Sequence, residues 1–206
     1  MRALRTFLTC LILLLLLCPQ SVLGQEDSTT VKNKYAPDLL RLQFAGNIGL
    51  VSAGASWLIL NEKVEIGAAF GIVPRNAFSE TIYITSLKAM YSPKWSKNYD
   101  RFSWEPISIG IVGGYHKGID LSRYRKNEYY PKNYYAWGVK TRLGIAFDTE
   151  VKMSLKRGPF SDVSFYLESC IWDVYFFSVY HNDNDRYLGL SDLMVMGAGL
   201  KFFFRK

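Results

Sequence analysis

The sequence predicts an all-β chain closed into a transmembrane, antiparallel up-and-down β-barrel of about eight strands with a polar packed interior. Three observations predict it. Apolar residues recur at every second position over successive segments. A signal for export is followed by no apolar run long enough for a membrane-spanning helix. Aromatic residues gather where strands meet loops, the distribution of the girdles that flank the apolar band of such barrels.

At the N-terminus, Arg2 and Arg5 precede an apolar core from Phe7 to Cys18, and Val22-Leu23-Gly24 reads as a cleavage site before polar Gln25-Glu26-Asp27. An apolar core of about 12 residues falls short of the roughly 20 that a spanning helix requires. The chain therefore divides into a signal peptide (1–24), a short polar segment (25–38) and a barrel (39–206), with the cell outer membrane as the expected destination. Loss of Arg2 and Arg5 lowers the net charge of +7 by two. A modest basic excess on an exported chain argues against nucleic acid and for anionic lipid headgroups as partners. Cys10 and Cys18 leave with the signal, so Cys170 has no partner for an intrachain disulfide.

The strands follow in order. Over 39–47, Leu40, Leu42 and Phe44 alternate with Arg41, Gln43 and Ala45. The apolar phase then slips to Val51, Ala53, Ala55, Trp57 and Ile59, which marks either a turn at Asn47-Ile48-Gly49 or a β-bulge; an even strand count favours the turn and a second strand over 50–60. In 63–73, Val64, Ile66, Ala68, Phe70 and Ile72 oppose Glu65, Gly67, Ala69 and Gly71. Segment 80–91 carries Lys88, and 104–115 sets Ile107, Ile109 and Ile111 against Ser108, Gly110 and Gly114. Segment 135–147, "YAWGVKTRLGIAF", sets Lys140 and Arg142 among small residues on the face opposite Trp137, Leu143, Ile145 and Phe147. In 161–173, Val163, Phe165, Leu167 and Ile171 oppose Ser164, Tyr166, Glu168 and Cys170. The last strand, 188–204, turns Met194, Met196, Leu200, Phe202 and Phe204 away from Gly197, Gly199 and Lys201.

In a membrane barrel the greasy face meets lipid and the small and charged face meets the lumen, since a lysine or arginine at mid-membrane would cost about 2–4 kcal/mol. Arg41, Lys88, Lys140, Arg142 and Lys201 then require the lumen acids Glu65 and Glu168, and the expectation is a buried ionic network that fills a narrow barrel rather than a conduction path. With both termini on the inner side, the inner connections are 61–63, 92–103 and 148–160. The connection from His116 to Tyr134 and that from His181 to Tyr187 lie outside. Trp95, Tyr99, Phe102 and Trp104 form one expected girdle; Tyr129, Tyr130, Tyr134, Tyr135 and Trp137 form the other.

The closing "VMGAGLKFFF" resembles the C-terminal assembly signal of outer-membrane barrels at Gly197, Leu200 and Phe202, although Arg205 and Lys206 follow it. That resemblance implies the barrel assembly machinery as a partner during biogenesis. The segments "RLQFAGNIGLVSAGASW", "GIVPR", "SLKAMYSP", "WEPISIG", "YYPKNYYAWGVKTR" and "GAGLKFFF" together resemble a family of uncharacterised outer-membrane β-barrel proteins from Bacteroidetes. The resemblance covers nearly all of the exported chain and implies fold and location; it brings no activity with it.

Candidates for chemistry are few. His116 with Asp120 and Ser122, or His181 with Asp183 and Ser178, are the combinations a lipid A-modifying enzyme could use on the outer side. The deacylase pattern of His with Ser two residues on is absent, because Gly118 and Asp183 stand at that offset. "HNDNDRY" alternates Asn182, Asp183 and Asp185 as a calcium loop does but lacks its glycine and distal glutamate, so no metal and no cofactor are expected. Arg123, Arg125, Lys126 and Lys132 in "DLSRYRKNEYYPKNYY" suit the phosphates of lipopolysaccharide headgroups. The expected role is structural or binding, within the cell envelope. A lipid A deacylase or acyltransferase, and then a narrow solute channel, stand as alternatives.

Overall fold

The computed structural model describes residues 36–75, 81–93, 95–118, 140–173, 175 and 193–205. The described residues hold nine strands: β1 (Leu39–Ala45), β2 (Val51–Ile59), β3 (Val64–Val73), β4 (Ile82–Tyr91), β5 (Lys97–Tyr99), β6 (Phe102–Lys117), β7 (Thr141–Ser154), β8 (Phe160–Trp172) and β9 (Met194–Phe204). Eight of them close an antiparallel barrel within the unit Pro37–Lys206. Each pairs with the next in sequence, β4 pairs with β6, and β9 returns to β1. β5 is a three-residue edge strand on the start of β6.

The pairing register fixes the barrel's dimensions. From Leu39, the ladder through β2, β3, β4, β6 and β7 arrives at Trp172 of β8. The route through β9 arrives at Asp162. The stagger is therefore 172 − 162 = 10 residues, which for eight strands gives a tilt of about 41° and a backbone radius of about 8 Å. A tube that narrow is filled by its own side chains.

Period two sorts those side chains as the alternation predicts. Arg41, Gln43, Lys88, Ser108, Tyr166, Glu168 and Lys201 are buried in the interior, while Leu87 (68% exposed), Ile111 (66%) and Met196 (65%) stand on the outer wall. The interior has two layers. Towards the end where β1 begins and β9 finishes, the terminal end, it is ionic; towards the far end it is apolar, with Val112, Ala146, Cys170 and Trp172 in one cluster that Met90, opposite Glu65 in the ladder, also joins.

The phase slip after Phe44 is a turn and not a bulge. Ala45 N–H donates to Leu50 O (2.8 Å), and the backbone takes positive φ at Gly46 (90°) and Gly49 (123°), a conformation glycine adopts without steric cost. The turn curls inward. Asn47 and Ile48 are buried, Gln43 Nε2 donates to Asn47 Oδ1 (3.5 Å), and a Cβ on Gly71 would collide with the Ile48 carbonyl oxygen. Ile48 thereby adds to the apolar closure of the lumen.

Two connections at the terminal end are shorter than the sequence suggested. The connection expected over 148–160 spans only 155–159, because β7 runs on to Ser154. Asp148, Glu150 and Lys152 read as loop polarity, yet they alternate with Thr149, Val151 and Met153 and face inward. The start of that strand, expected at Tyr135, begins at Thr141; 135–139 lie outside the described residues, as do 188–192 of the expected last strand. The connection expected over 92–103 contains β5, which pairs with the first residues of β6. Pro106 falls where the β6–β7 register breaks between Glu105 and Ser108, so its missing N–H leaves no gap in the ladder.

Candidate functional site

The ionic layer is built from charges that are mismatched along the ladders. Arg41 of β1 lies directly opposite Lys201 of β9, and Asp148 of β7 directly opposite Glu168 of β8. Like charges facing each other across a ladder repel, so each group must find its partner across the lumen, on a strand that is not its neighbour.

The closed barrel brings those partners together. Arg41 of β1 donates from Nη2 to Glu65 Oε1 of β3 (2.6 Å) and from Nη1 to Glu168 Oε2 of β8 (3.3 Å). Lys88 of β4 pairs with the same Glu168 oxygen. Lys201 of β9 donates to Glu150 Oε2 (2.5 Å) and Glu65 Oε2 (3.1 Å). Tyr166 stands between the two cations, its ring 4.9 Å from the Arg41 guanidinium and 5.2 Å from Lys201 Nζ, and its hydroxyl donates to Gln43 Oε1 (3.0 Å). All seven charged side chains are nearly or fully out of solvent, with Glu65 the most exposed at 11%.

The layer holds three cations, Arg41, Lys88 and Lys201, and four carboxylates, Glu65, Asp148, Glu150 and Glu168. Several polar atoms of the layer lack a hydrogen-bond partner, Arg41 Nε among them. Asp148 lies 3.9 Å from Arg41 and 3.8 Å from Lys201, and neither of its oxygens has a hydrogen-bond partner. Glu150 Oε1 and Glu168 Oε1 are also without one.

Below this layer the lumen opens at the terminal end into a cavity of about 500 Å³. The ionic layer forms its floor through Glu65, Glu150 and Lys201, and its walls include Glu105, Lys152, Asp162, Phe203 and Arg205. Lys152 lies over the Phe203 ring (4.2 Å) and within 3.8 Å of Glu105.

Of the residues expected in the network, Arg41, Glu65, Lys88, Glu168 and Lys201 meet in one cluster, whereas Lys140 and Arg142 do not join it. Lys140 is exposed ahead of β7 and Arg142 is half-buried near its start. Six residues separate Arg142 from Asp148, roughly 20 Å along a strand, so the phase is right and the level is wrong. Asp148, Glu150, Tyr166 and Gln43 complete the cluster. The two acids escaped sequence reading because their stretch resembled a connection, although the alternation of Asp148, Glu150 and Lys152 with Val151 and Met153 carries the signal.

His116, next to last in β6, stands edge-on to Trp172, with ring centroids 6.1 Å apart, and its Nδ1 has no hydrogen-bond partner. Asp120, Ser122, Ser178, His181 and Asp183 lie outside the described residues, as do Arg123, Arg125, Lys126 and Lys132 of the basic loop. Among the described residues no group of three His, Cys, Asp or Glu is arranged to hold a metal ion.

No protein-family model, curated protein or solved structure matches this chain.

Proposed function

We propose that this chain is an exported outer-membrane β-barrel protein with a structural or binding role in the cell envelope. The observation that carries the reading is the inversion of the barrel's faces. Its outer wall is apolar, with Phe44, Leu87, Ile111 and Met196 all exposed, and Arg41, Lys88, Asp148, Glu150, Glu168 and Lys201 are enclosed. In water that arrangement would leave a continuous apolar surface unsatisfied, far larger than the patches soluble monomers expose. In a bilayer it is the low-energy one.

Dimensions support the same reading. Strand rise and tilt set the outward apolar residues, from Ile59 and Val163 at the terminal end to Ile72 and Leu143 at the far end, over about 24 Å of axis, close to the apolar band of outer-membrane barrels. Trp95, Tyr99, Phe102 and Trp104 are exposed at the terminal rim, and Tyr83 and Tyr115 at the far rim. The export signal and the resemblance to outer-membrane barrels of Bacteroidetes agree with this placement. Lipid, including lipopolysaccharide, is then the immediate partner of the wall.

A filled ionic layer beneath an apolar closure argues against free conduction. Heat-modifiable gel migration of the detergent-purified protein, together with β-rich circular dichroism and recovery in outer-membrane fractions, tests the proposal. A folded protein that stays in solution without detergent refutes it.

A further inference from the structure

We propose that the outer wall at Gly113 of β6 seats an acyl chain of one lipid A molecule, with the lipid's phosphates on Lys117 and Lys140 at the far rim. Gly113 is unlike the other strand glycines. They face the lumen, where a Cβ would come within 3.2 Å of a neighbouring atom, Gly71 against the Ile48 carbonyl oxygen and Gly110 against that of Ala89 among them. Gly113 lies in the outward phase between Ile111 and Tyr115, its φ is not positive, and the nearest atom to a Cβ there would be Leu143 Cδ2 at 3.6 Å, an ordinary contact. Both ladders of β6 run through it without a register shift, so it marks no bulge. Neither crowding nor backbone conformation calls for a missing side chain at that position. Glycine inside a strand weakens it and often marks a place that a ligand approaches closely.

The surroundings select the occupant. Leu87 of β4 and Leu143 of β7 flank Gly113 in the ladders, Ile111 and Tyr115 stand on either side of it along β6, and all four are exposed. The flanking strands lie about 10 Å apart, so the bare backbone is the bottom of an apolar dent, and a methylene chain laid in it touches backbone and side chains at once. Lys117 is four residues further along the same face, about 10 Å nearer the rim along the axis, and directly opposite Tyr83 of β4. The Lys140 carbonyl oxygen accepts from His116 N–H (2.8 Å), which sets Lys140 beside Lys117. Both lysines are exposed and, with Arg75, place cations at the far-rim ends of three strands, β3, β6 and β7. A headgroup with two phosphates can meet more of them than a single phosphodiester can, which favours lipid A over a phospholipid. The inference rests on the membrane placement proposed above and adds to it a site and a lipid.

The test is native mass spectrometry of the detergent-purified protein titrated with diphosphoryl lipid A. It is run on protein already shown to migrate as a folded, heat-modifiable species that needs detergent, so failure of the membrane placement is seen before any lipid is added. The barrel is expected to retain one lipid A, about tenfold more tightly than phosphatidylglycerol or lipid A stripped of its phosphates. Gly113→Leu should weaken retention about tenfold by filling the dent, and Lys117→Gln with Lys140→Gln should do the same by removing charge. Ala53→Leu, which adds bulk to an outward position of β2, should leave retention unchanged. The urea midpoint of Gly113→Leu in phosphatidylcholine vesicles should match that of the parent, which separates a lipid seat from a bend in the strand. A folded barrel that retains no lipid A, equal retention of phosphatidylglycerol, retention unaffected by Gly113→Leu, or an equal loss in Ala53→Leu would each overturn the proposal.

Discussion

Replacing Arg41 with methionine tests whether the ionic layer is enclosed. Arg41 contacts Glu65 at 2.6 Å and Glu168 at 3.3 Å with its side chain 5% exposed. A charge pair about 4 Å apart is worth about 4 kcal/mol at an effective dielectric of 20. The substitution removes two such pairs and recovers the desolvation cost of one guanidinium. It also leaves four carboxylates facing Lys88 and Lys201 alone. Breaking a buried pair from one side costs about 3–5 kcal/mol, and that loss is the expected result.

Urea unfolding from lipid vesicles, followed by tryptophan fluorescence, reads it as a shift in midpoint at unchanged slope. The double variant Arg41→Met, Glu168→Gln removes one charge of each sign, so its cost should fall below the sum of the two single variants by about 1 kcal/mol or more. A single-variant loss under about 1 kcal/mol would mean that water reaches the layer, and an enclosed interior would be disproved.

Asp148→Asn should behave in the opposite way: removing the surplus negative charge from a carboxylate with no hydrogen bonds should be neutral or stabilise by up to about 1 kcal/mol in the same assay, and a loss above about 2 kcal/mol would contradict the charge count. Leu87→Arg and Ile111→Arg, on the exposed wall, should each cost about 2–4 kcal/mol in vesicles, whereas a soluble barrel would tolerate them. Gly144→Ala would set a Cβ 2.8 Å from Cys170 Sγ and 2.9 Å from Ile171 O, so a loss of about 1–3 kcal/mol is expected. In a chain carrying Cys10→Ser and Cys18→Ser, fully buried Cys170 should react with maleimide only after unfolding, and rapid labelling of the folded form would refute its place in the apolar cluster.

Much of the wall was legible residue by residue, because side-chain direction in a strand depends only on parity. Parity alone assigns Glu65, Glu168, Arg41, Lys88 and Lys201 to the inward face, since each sits opposite an apolar one. It says nothing of level along the axis, and it therefore drew Lys140 and Arg142 into a cluster they do not join, Arg142 standing six residues, roughly 20 Å of strand, from Asp148. A polar stretch can be a loop or an inward-facing strand with the same composition, and that ambiguity hid Asp148 and Glu150. The inward-curled turn at 46–49 was legible as a turn, but its role as a lid on the lumen was not, since burial of Ile48 depends on the bare backbone at Gly71 on another strand.

What the sequence determined by itself is the fold class and the sorting of residues between two faces, because period two is a local property of the extended backbone. Which carboxylate meets which cation was decided only by tertiary structure. The ladder sets like charges opposite one another, so Arg41 finds Glu65 24 residues away and Glu168 127 away, and Lys201 finds Glu65 136 away. Arg41 with Glu168, and Lys201 with Glu65, meet only once β9 has closed on β1, because those partners lie on strands that are not neighbours in the ladder.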